Sequence, residues 1–324
     1  MLCRRQFIRL SAAAAALPAL SRVARAQTYP TRPVRLIVGF AAGSTSDILG
    51  RLMAQWLSVR LGQQFVVENR PGAGGNVGAE AMVRSTADGY TILMVPPAVA
   101  ANPALYEHLN FDFIRDTVPV AGVVRVPNVV EVNPSLAVKT LPELIAYAKA
   151  NPGKLSFASA GIGTASHLAG QLFNVMTGAN LQHVPYRGDG PAMVDLIGGQ
   201  VQVGFATMTA SIGHIRSGRL RPLAVTTVQH SEALPDVPSA SEFIPGFEAS
   251  SWFGVSAPKA TPPEVIDKLN REINAGLADA TIKSRLADMG GMLLTGSPAD
   301  WGKLIGSETE KWGKVIRSAG IKAE

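Results

Sequence analysis

Glycine, serine and threonine gather in three stretches where chemistry could take place: Gly39-Phe-Ala-Ala-Gly-Ser-Thr-Ser-Asp47, Pro71-Gly-Ala-Gly-Gly-Asn-Val-Gly78 and Ala160-Gly-Ile-Gly-Thr-Ala-Ser-His167. Phosphate binding is the first chemistry such loops suggest, and each lacks a residue it needs. A Walker A loop requires a lysine and then Ser or Thr after its second fixed glycine, to meet phosphate and Mg²⁺. Gly43-Ser-Thr-Ser46 has no lysine. In 72–78 the third glycine falls one place late for G-x-G-x-x-G, and in 161–166 a serine holds that place. Hydrolysis would need a nucleophile with a base and an oxyanion hole. No G-x-S-x-G elbow occurs, and nothing in the spacing pairs Ser46, Ser159 or Ser166 with His167. A periplasmic α/β hydrolase using Ser and His stands as the alternative reading. The histidines at 108, 167, 183, 214 and 230 have no metal-binding spacing, so neither a metal nor a cofactor is expected.

Anion binding asks less of the sequence. The first turn of a helix leaves N–H groups unpaired and places partial positive charge there, so an anion is held without a fixed cation. Ala41 to Ser46 and Ala160 to Ser166 each stand where a strand hands over to a helix, with hydroxyls on Ser44, Thr45, Thr164 and Ser166. One helix start contributes about 0.3–2 kcal/mol, whereas micromolar affinity requires about 8 kcal/mol. Both stretches, their hydroxyls and bridging waters must therefore converge on one cleft. Asp47 either complements the start of its own helix or tunes which ligands are accepted.

The elements that position these loops alternate between strand and helix. Val34–Val38 is a short β-branched run, and Ile48, Leu49, Leu52, Met53, Trp56, Leu57 and Leu61 follow at helical spacing. Phe65–Val67 and Tyr90–Val95 read as the next strands, with a helix of small residues between them. A second unit starts after Val129–Val132: Thr140 and Glu143 fit a capping box, Leu155–Ser159 is a strand, and 166–177 a helix. Residues 183–186, 201–205 and 223–226 supply further strands, with a helix opened by Pro191. Thr261 caps an amphipathic helix, and Ser297 opens another that carries Trp301, Trp312 and Ile316. The pattern predicts an α/β fold with mostly parallel sheets flanked by helices.

Residues 2–26 read as an export signal: a twin arginine at Arg4-Arg5, a short apolar stretch too short to span a bilayer, and Ala24-Arg25-Ala26 as a cleavage site. That segment holds Cys3, the only cysteine, and five of the 30 lysines and arginines, leaving 25 basic residues against 24 acidic ones. The formal charge of +6 thus belongs almost wholly to the signal, and no nucleic-acid or membrane partner is expected.

The stretches 34–47, 68–78, Asp88–Leu93, Asn102–Tyr106, His167–Gly170, His183–Gly188, Leu234–Pro238 and Trp252–Gly254 resemble, in order, the Bug family of periplasmic solute-binding proteins of tripartite tricarboxylate transporters. The resemblance implies a two-domain periplasmic binding protein fold, a Venus flytrap of type II-like form. It places domain 1 at 27–128 plus 253–324 and domain 2 at 129–252. It also implies a monomer that holds a small carboxylate between its domains and delivers it to inner-membrane transporter subunits or a sensor. The matching positions are Phe40, Ala41, Ala42, Gly43, Ser44, Thr45, Ser46 and Asp47 in the first domain. In the second they are Ala160, Gly161, Gly163, Thr164, Ser166 and His167, with Gly188, Asp189 and Thr207 nearby. His167 would line or brace the pocket. Three departures bear on the ligand: Ser44 stands in a usual Gly-Gly pair, Pro96–Ala101 replaces a polar stretch, and Ala206 replaces an Asp or Asn. They point to a less polar or bulkier acid, aromatic rather than a small amino acid. The effector-sensing part of a transcription regulator would share the fold class but carry a DNA-binding helix pair where this chain has its signal.

Overall fold

The computed structural model describes residues 29–322; the expected export signal and Cys3 lie outside the described residues. The strands are β1 (Val34–Val38), β2 (Phe65–Asn69), β3 (Thr91–Val95), β4 (Thr117–Pro127), β5 (Val129–Val132), β6 (Ser156–Ser159), β7 (Gln182–Pro185), β8 (Val203–Gly204), β9 (Arg221–Val225), β10 (Ser250–Pro258) and β11 (Met292–Leu293). They form a six-stranded sheet, β11-β4-β10-β3-β1-β2, and a five-stranded sheet, β7-β6-β8-β5-β9. The parallel order expected from strand–helix alternation holds in β2-β1-β3 and in β7-β6-β8. Elsewhere the pairing is antiparallel, so both sheets are mixed rather than mostly parallel. The reason is that β4 and β10, long strands paired with each other, leave and re-enter the first sheet on either side of the second.

The helices of two turns or more are α1 (Thr45–Leu61), α2 (Asn76–Val83), α3 (Ala98–Leu105), α4 (Leu141–Ala150), α5 (Ala165–Thr177), α6 (Asp189–Ile197), α7 (Met208–Arg216), α8 (Pro263–Ala278), α9 (Ala280–Asp288) and α10 (Pro298–Ala319). α1 buries Leu49, Met53 and Leu57 against its sheet and ends at Gly62, whose φ of 67° permits the left-handed stop. α8 and α10 pack back on β4 of the first sheet. In α10 a full capping box forms between Ser297 and Asp300, and Trp301 meets Trp252 edge to face at 5.4 Å.

Three local expectations are corrected. Thr140 caps α4, but Glu143 accepts from the Lys139 N–H instead of closing the box on Thr140. The Thr261 hydroxyl donates to the Pro258 carbonyl, which leaves Pro262 at the cap position of α8. α6 begins at Asp189, two residues before Pro191.

The sheets are joined through Asn128, the single residue between β4 and β5, and through Ala249 before β10. β10 starts at Ser250, so the sequence-based boundary at 252/253 falls inside it. The Asn128 side chain is fully buried: its Nδ2 donates to the Phe205 carbonyl at 3.0 Å and its Oδ1 accepts from the Ser251 hydroxyl at 2.8 Å. The Thr226 hydroxyl sits against the carbonyls of Asn128 and Ala249, tying the two crossings together.

α5 lies so close to the second sheet that a Cβ at Gly170 would stand 2.3 Å from the Phe157 ring, itself fully buried. Gly170→Ala should cost about 1–3 kcal/mol by overpacking, seen as a lower urea midpoint at unchanged slope. A midpoint equal to that of the parent protein would show that this contact yields freely.

Candidate functional site

The start of α1 and the start of α5 are the same local structure made from different residues. Ser44 caps α1 at φ −71°, ψ 160°, and Thr164 caps α5 at φ −72°, ψ 161°. Each is preceded by a glycine in the left-handed region, Gly43 at φ 81° and Gly163 at φ 77°. Each cap hydroxyl accepts from the third helical N–H, that of Asp47 or of His167. The third side chain then turns back: the Gly43 N–H donates to Asp47 Oδ2 at 2.9 Å, and the Gly163 N–H to His167 Nδ1 at 3.1 Å.

What remains unpaired is the inner rim of each turn. Among the described residues, no partner is found for the N–H groups of Ser46, Ala165 and Ser166. Thr45 has only a long contact of 3.4 Å from its N–H to Asp189 Oδ2, across from the other sheet. The Thr45 hydroxyl is 3.2 Å from the same oxygen and 2.7 Å from the Thr207 hydroxyl at the start of α7. Four helix starts, those of α1, α5, α6 and α7, therefore meet in one place.

A cavity of about 40 Å³ opens between them. Of the residues singled out in the sequence, Phe40, Ser44, Thr45, Ser46, Ala160, Thr164, Ser166, Asp189 and Thr207 line it. Ala41, Ala42, Gly43, Asp47, Gly163, His167 and Gly188 do not; they shape or brace the surrounding turns. Pro96, Pro97, Ala98, Ala165, Ser251 and Phe253 line it without having been singled out one by one. The apolar run after β3 holds Pro96, Pro97 and Ala98, the 160–167 loop holds Ala165 and the Trp252–Gly254 motif holds Phe253, while no signal pointed to Ser251. An adjoining cavity of about 470 Å³ shares Phe40 and Ala160 and takes in Gly161, Tyr106, Tyr186, Arg187 and the glycine-rich 71–75 stretch. There a Cβ at Gly74 would come within 3.0 Å of the Ile162 carbonyl oxygen, so this glycine lets the two lobes approach.

The hydroxyls are less free than their types suggested. Thr164 donates to the Gly161 carbonyl at 2.6 Å, and Ser166 Oγ accepts from the Ala160 N–H at 2.9 Å, so both are tied into their own loop. The Ser46 hydroxyl has no partner among the described residues.

Charge on the two turn-back residues is settled by their surroundings. Burial works against ionised Asp47, but hydrogen bonds from Arg51, Gly43 and Asn69 outweigh it and hold the carboxyl below its ordinary value. His167 is pushed down to about 3 by burial, with His183 adding to the shift, and His183 to about 4 by burial. Their rings stack at 4.1 Å, and His183 stacks on Phe157 at 4.9 Å. Both rings are therefore neutral at pH 7. Ser159 Oγ lies 2.7 Å from His183 Nε2. Among the described residues no carboxylate hydrogen-bonds to this His183 ring, and the Ser159–His183 pair lies outside the cavity lining.

Two mixed sheets joined by a pair of strands, with helix starts from both facing a shared cavity, define a two-domain solute-binding protein. The chain belongs to the tripartite tricarboxylate transporter receptor family, whose profile matches residues 49–321. It is 41% identical over 300 residues to protein BugT of Bordetella pertussis, covering 92% of each chain. Among solved structures, the R. palustris Rpa4515 protein with adipate aligns at TM-score 0.88 and 37% identity, over 91% of this chain and all of that one. MatC of Rhodopseudomonas palustris with bound malate aligns at 0.85 and 29%, over 89% of this chain and all of that one. This is a family of periplasmic binding proteins rather than enzymes, which removes the hydrolase alternative.

The buried histidines make stability pH-dependent. Unfolded, they titrate near pH 6.5, where the folded protein leaves them uncharged. Between pH about 6.5 and about 4 the unfolded state binds more protons, so stability falls as pH falls through that window. Urea midpoints should drop from pH 7 to pH 5, and His167→Gln should flatten the decline. An equally steep decline in that variant would mean His167 is not the group responsible.

Proposed function

We propose that this receptor captures a small carboxylic acid between its two lobes, 32–128 with 250–322 and 129–249, and hands it to inner-membrane transporter subunits or a sensor. The observation that carries this reading is the set of unpaired N–H groups at Ser46, Ala165 and Ser166, brought from opposite lobes to one small cavity whose lining holds no lysine or arginine. Such a place stabilises negative charge through peptide dipoles alone. Export before binding is supported by the basic start and the Ala24-Arg25-Ala26 site.

The ligand's body extends away from that end. The small cavity has room for little more than a carboxylate, whereas the adjoining one is more than ten times larger and offers Phe40, Tyr106 and Tyr186. Pro96, Pro97 and Ala98 give the wall between β3 and α3 an apolar character. Binding of adipate and malate by relatives supports the dicarboxylate class, and the aromatic wall favours a longer or aromatic acid over a short one.

A thermal-shift screen with adipate, benzoate, phthalate, malate, aspartate and citrate tests this, because a ligand bound only by the folded state raises its melting temperature. Adipate or an aromatic acid should raise it by several degrees. Tight binding of aspartate or citrate alone would refute the ligand assignment, and no response to any acid would refute the receptor reading.

A further inference from the structure

Asp189 occupies an unusual position for a carboxyl group in an anion receptor. It stands at the start of α6 in one lobe, is 7% exposed, and directs Oδ2 at the N–H and hydroxyl of Thr45 in the other. It lines the same cavity as Ser46 and Ser166. A ligand carboxylate seated there would lie against it in about 40 Å³ of space.

No lysine or arginine lines this cavity; Arg187, exposed and two residues before Asp189, lines the adjoining one. The titratable or charged groups on the surrounding elements are Glu131 on β5, Asp47, Arg51 and Arg60 on α1, His167 on α5, Asp195 on α6, and His214 and Arg216 on α7. Arg51 is committed to Asp47, Arg60 to Glu272, and Asp195 accepts from Tyr186. Glu131 is fully buried, holds one bond from Ser211 at 2.8 Å, and has an unpartnered Oε2. Two carboxylates confined together cannot both stay ionised at low cost. Burial already pushes Asp189 up against the pull of its Thr45 bonds. Burial also takes Glu131 up to about 8, with Asp189 adding to the shift.

Resting on the carboxylate reading above, we propose that Asp189 is the proton-linked specificity residue of this site. One proton from solvent is taken up onto Asp189 as the ligand carboxylate enters, and the resulting carboxylic acid donates to a ligand oxygen. The site thereby accepts an anion without a cation and favours ligands that bring no positive charge of their own.

Calorimetric titration of adipate tests this between pH 6.5 and 8.5, where adipate stays fully ionised, in two buffers of different ionisation enthalpy. The intact protein should take up about one proton per adipate and lose affinity by up to about tenfold per pH unit as pH rises. Asp189→Asn, a permanent neutral donor, should bind with no uptake and no pH dependence, and at pH 8.5 at least as tightly as the parent. Glu131→Gln should retain the uptake. Binding by the intact protein without uptake would overturn the role of Asp189 while leaving the receptor reading in place, and this result needs no variant to fold. Loss of uptake in Glu131→Gln, or loss of binding in Asp189→Asn, would also overturn it. No adipate binding at any pH would overturn this inference and the carboxylate reading together.

Discussion

A peptide N–H at the start of a helix has no partner within that helix, and in this protein several such groups belong to buried residues that line one small cavity. That constraint organises the rest. A buried donor left unpaired costs about 1–3 kcal/mol, so Ser46, Ala165 and Ser166 call for an acceptor from outside the chain. Neither lobe could hold an anion tightly on its own, since one helix start is worth only about 0.3–2 kcal/mol. The two sheets, the paired crossing strands and the Asn128–Thr226–Ser251 contacts serve to bring the starts into opposition.

The two turns show how one backbone geometry is reached by different chemistry. Asp47 is charged and Arg51 stabilises it; His167 is neutral because burial makes it so. Both accept from the glycine four residues back, and both leave the second helical N–H uncovered. The shared requirement is a side-chain acceptor at the third helical position, which is satisfied by a carboxylate or by an imidazole Nδ1. That equivalence explains why the two residues attract attention as ligand contacts and yet stand behind the cavity.

Much of this was legible in the sequence because it is local. Left-handed glycines, cap residues and the strand–loop–helix order are specified within a few neighbours, so the turns that start α1 and α5 and the helix opened by Ser297 could be read directly. The long strands β4 and β10 could not. Pro119, Gly122 and Pro127 interrupt the first and Gly254 the second, and their pairing is between residues more than a hundred positions apart. Hydroxyl allegiance was equally hidden: whether Thr164 and Ser166 face a ligand or their own loop depends on bond directions that residue type does not encode. The contact of Asp189 with Thr45 spans 144 positions and exists only once both lobes are folded.

In the proposed binding mode, peptide dipoles from opposite lobes neutralise the ligand's charge. Backbone amide NMR of labelled protein, recorded while a bound carboxylic acid is titrated in, reads those groups one by one. Such binding should produce large downfield shifts and slowed exchange at the amides of Ser46, Ala165 and Ser166 together, with a single dependence on ligand concentration. Shifts confined to one lobe, or centred on Arg187 with those three amides unmoved, would contradict it.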